Sequence, residues 1–452
     1  MHERKPEPTV ADDGFNRVLS RKDLFGIAIG MIIGAGVMTL TGIGIERTGR
    51  SVFISYLLAT VFALFFAVPS IISTSIARFK GGSYTIWSLV IGEKWAGVWL
   101  IVFFMGEMGI CMYAMSFAEY FSALIPGIPQ NVIAIAIATF FFVMNYFGIN
   151  VMSKVENILT IFLVSAILLF VLCGLPHVQW NAFFSQPDFM TNGVSGIFAG
   201  AAFLNYALLG ASELQSFAAE AKDPKKDIPT TIIFSTLFLA VIFSLLSIVA
   251  SGVLPVSSVA GKPLTLVAEV IFSKPLYLFF IIAGALGATA TTLNVTVAFI
   301  TKPLVFASRD GWFPEKMGQL HPKYHTPHRW LLVWYLICII PLVLNFSVSQ
   351  IADLVMFIMY LRTIVYALGF LKLPKLFPEQ WKRSMFYMPK WAFTLLMLSC
   401  SGVAAYQLYA NLINADPKMI ILNLLVLAGA IIYSLTRYGS GKVHMHPSWE
   451  DC

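Results

Sequence analysis

Long apolar stretches alternate with short charged ones along the chain. Runs free of Asp, Glu, Lys and Arg cover Leu24–Ile45, Ser51–Ala77, Tyr120–Ser153, Asn157–Pro187, Phe189–Ser212, Ile228–Gly261, Pro275–Thr301, Trp330–Ala352, Trp391–Ala415 and Met419–Thr436. Two more are each broken by one charge, Trp95–Ala118 by Glu107 and Leu354–Leu371 by Arg362. A helix needs about 20 apolar residues to cross a bilayer, so the pattern predicts an all-α membrane protein with twelve spans. Barrel strands would alternate polar and apolar positions over about ten residues, which these continuous runs do not.

Composition sharpens the exclusion. Of 452 residues, 58% are hydrophobic and 12% charged, against roughly 25% charged in a soluble domain. A water-soluble protein of this size needs far more polar surface, so that class is ruled out. Residues 1–22 are polar and carry Arg4, Lys5, Arg17, Arg21 and Lys22, so the first span is expected to be an uncleaved anchor. An even number of spans sets both termini on one side. Under that threading 24 of the 30 Lys and Arg residues fall in 1–22, 76–95, 148–156, 218–230, 301–330, 372–391 and 437–452. Only Arg47, Arg50, Lys262, Lys274 and Lys418 fall in the opposite connections. The bias predicts cytoplasmic termini in a plasma or inner membrane. It also accounts for the net charge of +7 without nucleic acid, because basic loops face anionic lipid.

Cys111, Cys173, Cys338, Cys400 and Cys452 have no metal-ligand spacing and read as packing residues. With seven histidines, among them His321, His325 and His328 in connections, no catalytic constellation forms. Neither an enzyme, a cofactor nor a bound metal is expected.

Two spans are interrupted. The first reads Ile29-Gly30-Met31-Ile32-Ile33-Gly34-Ala35-Gly36-Val37, and the sixth Phe203-Leu204-Asn205-Tyr206-Ala207-Leu208-Leu209-Gly210-Ala211-Ser212-Glu213. Such breaks occur in lipid only where backbone lines a cavity or meets protein. Small residues for helix contact are the competing explanation. Breaks at corresponding places in two five-span halves point to an inverted-repeat carrier with a site near the midplane. The expected division is a segment 1–22, repeats 23–175 and 189–372, two peripheral spans in 391–436 and a tail 437–452. A broken helix offers amides to a carboxylate and carbonyls to an ammonium. The expected ligand is a small zwitterion, with its carboxylate on the Ala35, Gly36 and Val37 amides and its amine on the Ile32, Tyr206 and Leu209 carbonyls. Ile33, Gly34, Ala207 and Gly210 complete the expected contact set.

Four motifs then resemble the amino acid–polyamine–organocation transporter superfamily. They are Gly34-Ala35-Gly36; Gly81-Gly82-Ser83-Tyr84; the run Glu220-Ala221-Lys222-Asp223-Pro224 continuing to Ile228-Pro229; and Ala307-Ser308-Arg309-Asp310-Gly311-Trp312-Phe313-Pro314 with His321-Pro322 and Thr326-Pro327. The resemblance implies twelve spans, inverted repeats and alternating access. It implies an aromatic gate at Tyr206 and a polar contact at Ser212. Ala35 stands where the family has serine, leaving backbone amides to hold a carboxylate. Leu163 stands where some relatives carry a lysine. Thr289, Thr291 and Thr292 of the eighth span either join first-span carbonyls around sodium, as in sodium-coupled relatives, or bond back to their own helix.

Charges at membrane depth are costly, by roughly 2.5–3.5 kcal/mol each on insertion scales, and mark function by default. Here they are Glu107, Glu213 and Arg362. Arg362 either pairs with Glu107, Glu213 or Asp353, or the carboxylates carry a proton or a cationic substrate tail. Met105, Met108, Cys111 and Met112 are soft side chains suited to an apolar substrate tail. The expectation is a secondary transporter of small or neutral amino acids, working as an exchanger or proton symporter. The alternatives are an exchanger of cationic amino acids or amines through Glu107 and Glu213, and a non-transporting nutrient sensor.

Overall fold

The computed structural model describes residues 14–344, 348–413, 417–446 and 449–451. Most of them are helical. Nine helical stretches are long and apolar enough to cross a membrane among the described residues, and two shorter apolar helices, Gln130–Tyr146 and His328–Val343, accompany them.

The first half of the chain forms α1 (Arg21–Ile32), α2 (Ala35–Thr48), α3 (Val52–Ile76), α4 (Ser83–Val90), α5 (Ala96–Glu107), α6 (Ile110–Leu124), α7 (Gln130–Tyr146) and α8 (Ile149–Gly174). A capping box starts α1: the Ser20 amide donates to Asp23 Oδ2 at 2.9 Å, while the Ser20 hydroxyl accepts from the Asp23 amide. α8 begins at Ile149, so 148–156, read from its charges as a connection, is already two turns of helix. Charge runs mark where lipid begins, whereas a helix continues through the head-group layer.

After a short α9 (Trp180–Phe183) come α10 (Gly193–Leu204) and, past the second interruption, α11 (Pro224–Gly252). The connection then folds as α12 (Val256–Val259) and α13 (Thr265–Ile271). The eighth expected span is α14 (Lys274–Phe279), a wide π turn over Phe280–Leu286, and α15 (Gly287–Phe299). α16 (Lys302–Arg309) leads to α17 (His328–Val343) and α18 (Val348–Gly369); the short α19 (Leu373–Leu376) and α20 (Pro378–Arg383) precede α21 (Lys390–Leu412) and α22 (Pro417–Gly439). α17 stops at Val343, short of the Ala352 end that its uncharged run suggests.

Every residue of α15 is buried. It packs against α1, α6, α7 and α8, while α3 and α11 lie along each other. α21 and α22 instead turn Leu395, Leu398, Leu425 and Ile432 outward, as side chains facing lipid do.

One face gathers both ends of the described residues. β1 (Arg78–Phe79) pairs antiparallel with β2 (Trp449–Glu450), with Arg78 opposite Glu450. Glu450 takes Lys80 Nζ at 2.7 Å and Arg17 Nη2 at 2.8 Å. Three of the four motifs meet here. Tyr84 donates to Asp310 Oδ2 at 2.8 Å, and the Glu220 carboxylate pairs with Lys302, whose ammonium also sits over Phe217.

Candidate functional site

The two interruptions face one another. α1 ends at Ile32, Gly34 is extended (φ −101°, ψ −170°), and α2 starts at Ala35. In the sixth span α10 gives way to a 3₁₀ turn over Asn205–Leu208 and a second over Ala211–Phe217, with Leu209 extended and Gly210 at φ 124° between them. Only glycine fits position 210: its φ is left-handed, and a Cβ there would lie 2.6 Å from the Met31 carbonyl oxygen. A Cβ on Gly36 would lie 3.7 Å from that of Ala207. The breaks therefore touch backbone to backbone.

Between them and α3, α5, α6 and α18 lies a cavity of about 160 Å³. Its volume matches apolar cavities of about 150 Å³ that admit benzene. Ile32, Gly34, Gly36, Tyr206, Ala207, Leu209, Gly210 and Ser212 line it. Ile33 and Val37 are buried and absent from its walls, and the half-buried Met108 is absent from them too. As the first residues of α2, Ala35 and Gly36 have no upstream helical carbonyl for their amides. The Val37 amide is taken, donating to the Gly34 carbonyl at 3.3 Å. Tyr113 of α6 lines the cavity along with Tyr206.

The charged residues form one cluster on the cavity wall. Arg362 reaches Glu213 Oε1 at 3.3 Å and Glu107 Oε1 at 3.9 Å. Two carboxylates thus share one guanidinium, and Glu213 Oε2 is buried with no hydrogen-bond partner among the described residues. The Asp353 side chain lies outside what is described. Glu107 is brought to the wall by a feature the sequence reading missed: α5 ends at Glu107 and α6 begins only at Ile110, with Met108 and Gly109 in a turn. Gly106 and Gly109 flanking the charge were the available signal.

The threonines of α15 divide. Thr292 Oγ1 lies 2.9 Å from the Gly30 carbonyl, 3.0 Å from that of Ala288 and 3.4 Å from that of Ile33; Thr291 is 3.4 Å from Gly30. Thr289 bonds only to its own helix, at Ala285 and Leu286. The sequence reading also passed over Trp99, Tyr113, Gln215 and Tyr366 on the walls, which carry no charge or break to single them out.

The profile of a family described as amino acid permease matches residues 19–431. A branched-chain amino acid permease of Bacillus subtilis is 29% identical over 72% of this chain and 74% of its own length. A methylthioribose transporter of the same organism is 25% identical over 70% of this chain and 72% of its own. A vacuolar cationic amino acid transporter of Arabidopsis thaliana is 26% identical over 68% of this chain and 55% of its own.

Proposed function

We propose that this chain, which belongs to the amino acid permease family, is a secondary active transporter that carries small or neutral apolar L-amino acids by alternating access. It is a multi-pass membrane protein, and twelve spans, with 23–175 and 189–372 as inverted repeats and 391–436 peripheral, are part of the proposal, as are cytoplasmic termini in the plasma or inner membrane. The observation that carries the reading is the cavity built where two interrupted helices meet. The Ala35 and Gly36 amides receive the substrate carboxylate. The carbonyls around Ile32, Tyr206 and Leu209 receive its ammonium, Tyr206 covers it, and the apolar tail points toward Val355, Ile358 and Met359 of α18. The Arg362 guanidinium occupies both carboxylates, which favours a neutral tail.

A cationic amino acid or amine is the second reading. It is favoured by the same cluster counted differently, since two carboxylates face one guanidinium and Glu213 Oε2 lacks a partner among the described residues. Coupling is by exchange or by a proton; sodium at the Thr292 hydroxyl and the Gly30 and Ile33 carbonyls is the further option. Counterflow in proteoliposomes tests all of these. The panel is labelled leucine, valine, alanine, lysine, arginine and the decarboxylated amines of the last two, with and without sodium and with and without a pH gradient. Saturable leucine or valine counterflow supports the first reading, exchange confined to lysine, arginine or the amines replaces it with the second, and no counterflow with any solute overturns both.

A further inference from the structure

Glu156 has no part in the proposed cavity, yet among the described residues it is the most enclosed carboxyl, fully buried where α8 meets α1 and α15. Its Oε2 accepts from Asn294 Nδ2 at 2.9 Å, and Asn294 is held in turn by Asn145 of α7, whose Nδ2 donates to Asn294 Oδ1 at 3.0 Å. Its Oε1 lies 3.3 Å from the Thr160 hydroxyl. α1 meets it with bare backbone, since a Cβ on Gly30 would collide with Oε1.

No cation answers this carboxyl among the described residues. α7 and α15 contain no charged residue, and α1 carries Arg21, Lys22 and Asp23 in its first turn only. Asp23 is engaged by Ser20 and by Asn157 Nδ2 at 2.9 Å. Besides Glu156, α8 carries the exposed Lys154, and α11, which packs on α1 and α8, has Lys225, Lys226 and Asp227 in its first turn. An ionised carboxyl sealed in apolar surroundings with two neutral donors is held at a cost that a proton removes.

The Thr160 hydroxyl gives that proton a mechanical consequence. It lies 3.3 Å from Glu156 Oε1 and equally 3.3 Å from the Gly26 carbonyl of α1. It has one proton to give. Facing an ionised Glu156, it donates to the carboxylate and Gly26 loses it. Facing a protonated Glu156, it accepts from the carboxyl O–H and donates to Gly26, so that the Thr160 bond joins α8 to α1 and the carboxyl holds the hydroxyl in that direction.

We propose that Glu156 is a proton-binding site that latches α1 onto α8, holding the terminus-bearing side of the cavity closed when protonated and releasing α1 when the proton leaves to water. When α1 swings out, water reaches the carboxyl and hydrates its ionised form, so opening and proton release go together. The proton comes from and returns to water on the side that carries the termini. The inference rests on the transport reading for its consequence, but the site can be observed without any substrate.

Infrared difference spectra of the purified full chain in lipid, stepped from about pH 5 to about pH 8, read the C=O band of a protonated carboxyl. The wild type is expected to lose a band on the alkaline step that Glu156→Gln lacks. Glutamine keeps the donor to Thr160 and the acceptor for Asn294, so it mimics the protonated latch. Leucine counterflow is then expected to vary severalfold with pH in the wild type and to be flat in the variant. Thr160→Val keeps the volume and is expected to retain the band while losing the pH dependence. An identical band in wild type and Glu156→Gln, or a wild-type pH profile in Thr160→Val, overturns the latch. Absence of counterflow for every solute overturns the transport reading alone, because the band still reports on Glu156.

Discussion

Gly210 and Arg362 carry the sharpest consequences at the scale of single residues. Gly210→Ala forces a left-handed backbone on an L side chain and drives a methyl against the Met31 carbonyl. Such overpacking costs about 1–3 kcal/mol, and leucine counterflow is expected to fall at least tenfold at equal membrane content. Arg362→Met leaves Glu107 and Glu213 facing each other without their cation. Removing one partner from a buried pair costs about 3–5 kcal/mol, so the melting temperature in detergent is expected to drop by several degrees. The triple variant Glu107→Gln, Glu213→Gln, Arg362→Met restores neutrality, and its melting temperature is expected to recover most of the loss. No recovery would mean that the cluster is held by packing rather than by charge.

Among the elements, the pairing of β1 with β2 invites a direct test. Burial pushes the Glu450 carboxyl up, but its hydrogen bond and charge contact with Lys80, joined by Arg17, outweigh burial and hold it below the ordinary glutamate range. A carboxyl whose folded value is depressed stabilises above its unfolded value and loses that contribution as pH falls through the folded one. The tail is therefore expected to stay docked at neutral pH and to detach only in acid below the ordinary glutamate range. Glu450→Gln is expected to leave the tail near residue 446 cleavable by added protease at neutral pH, where the wild type resists. Equal cleavage of the two proteins would show that the strand pairing and Trp449 suffice. The helix breaks were legible because glycine and polar residues interrupt apolar runs. The turn at Met108 and Gly109 was less so, because its signal, Gly106 and Gly109 beside Glu107, reads equally as small residues at a helix contact.

At the scale of the whole molecule the pairing of Arg17 with Glu450 brings both ends of the described residues to one face. If the basic loops are cytoplasmic, a cysteine replacing Lys262 is expected to react with an impermeant maleimide on intact cells, and one replacing Lys442 only after the membrane is opened. The reverse labelling would invert the topology. The motifs of the sequence converge on that same terminus-bearing face: Tyr84 holds Asp310, and Glu220 holds Lys302. Such contacts tie the ends of distant spans together.

By itself the sequence determined the solvent, the helical class and the places where two helices come apart. Those are properties of consecutive residues: the length of an apolar run and the glycines inside it. Only the tertiary structure decided which charges meet. Glu107, Glu213 and Arg362 are far apart in the chain, and nothing local distinguishes Arg362 pairing with both from pairing with one. It likewise decided that the Thr292 hydroxyl reaches the Gly30 carbonyl of α1 as well as its own helix while that of Thr289, one turn earlier on the same side, bonds within its own span, a matter of where along α15 the backbone of α1 comes close. Glu156 is the clearest case. Its neighbours in sequence, Lys154 and Asn157, read as the polar end of a span, and only the packing of α1 and α15 over that end takes its carboxyl out of water.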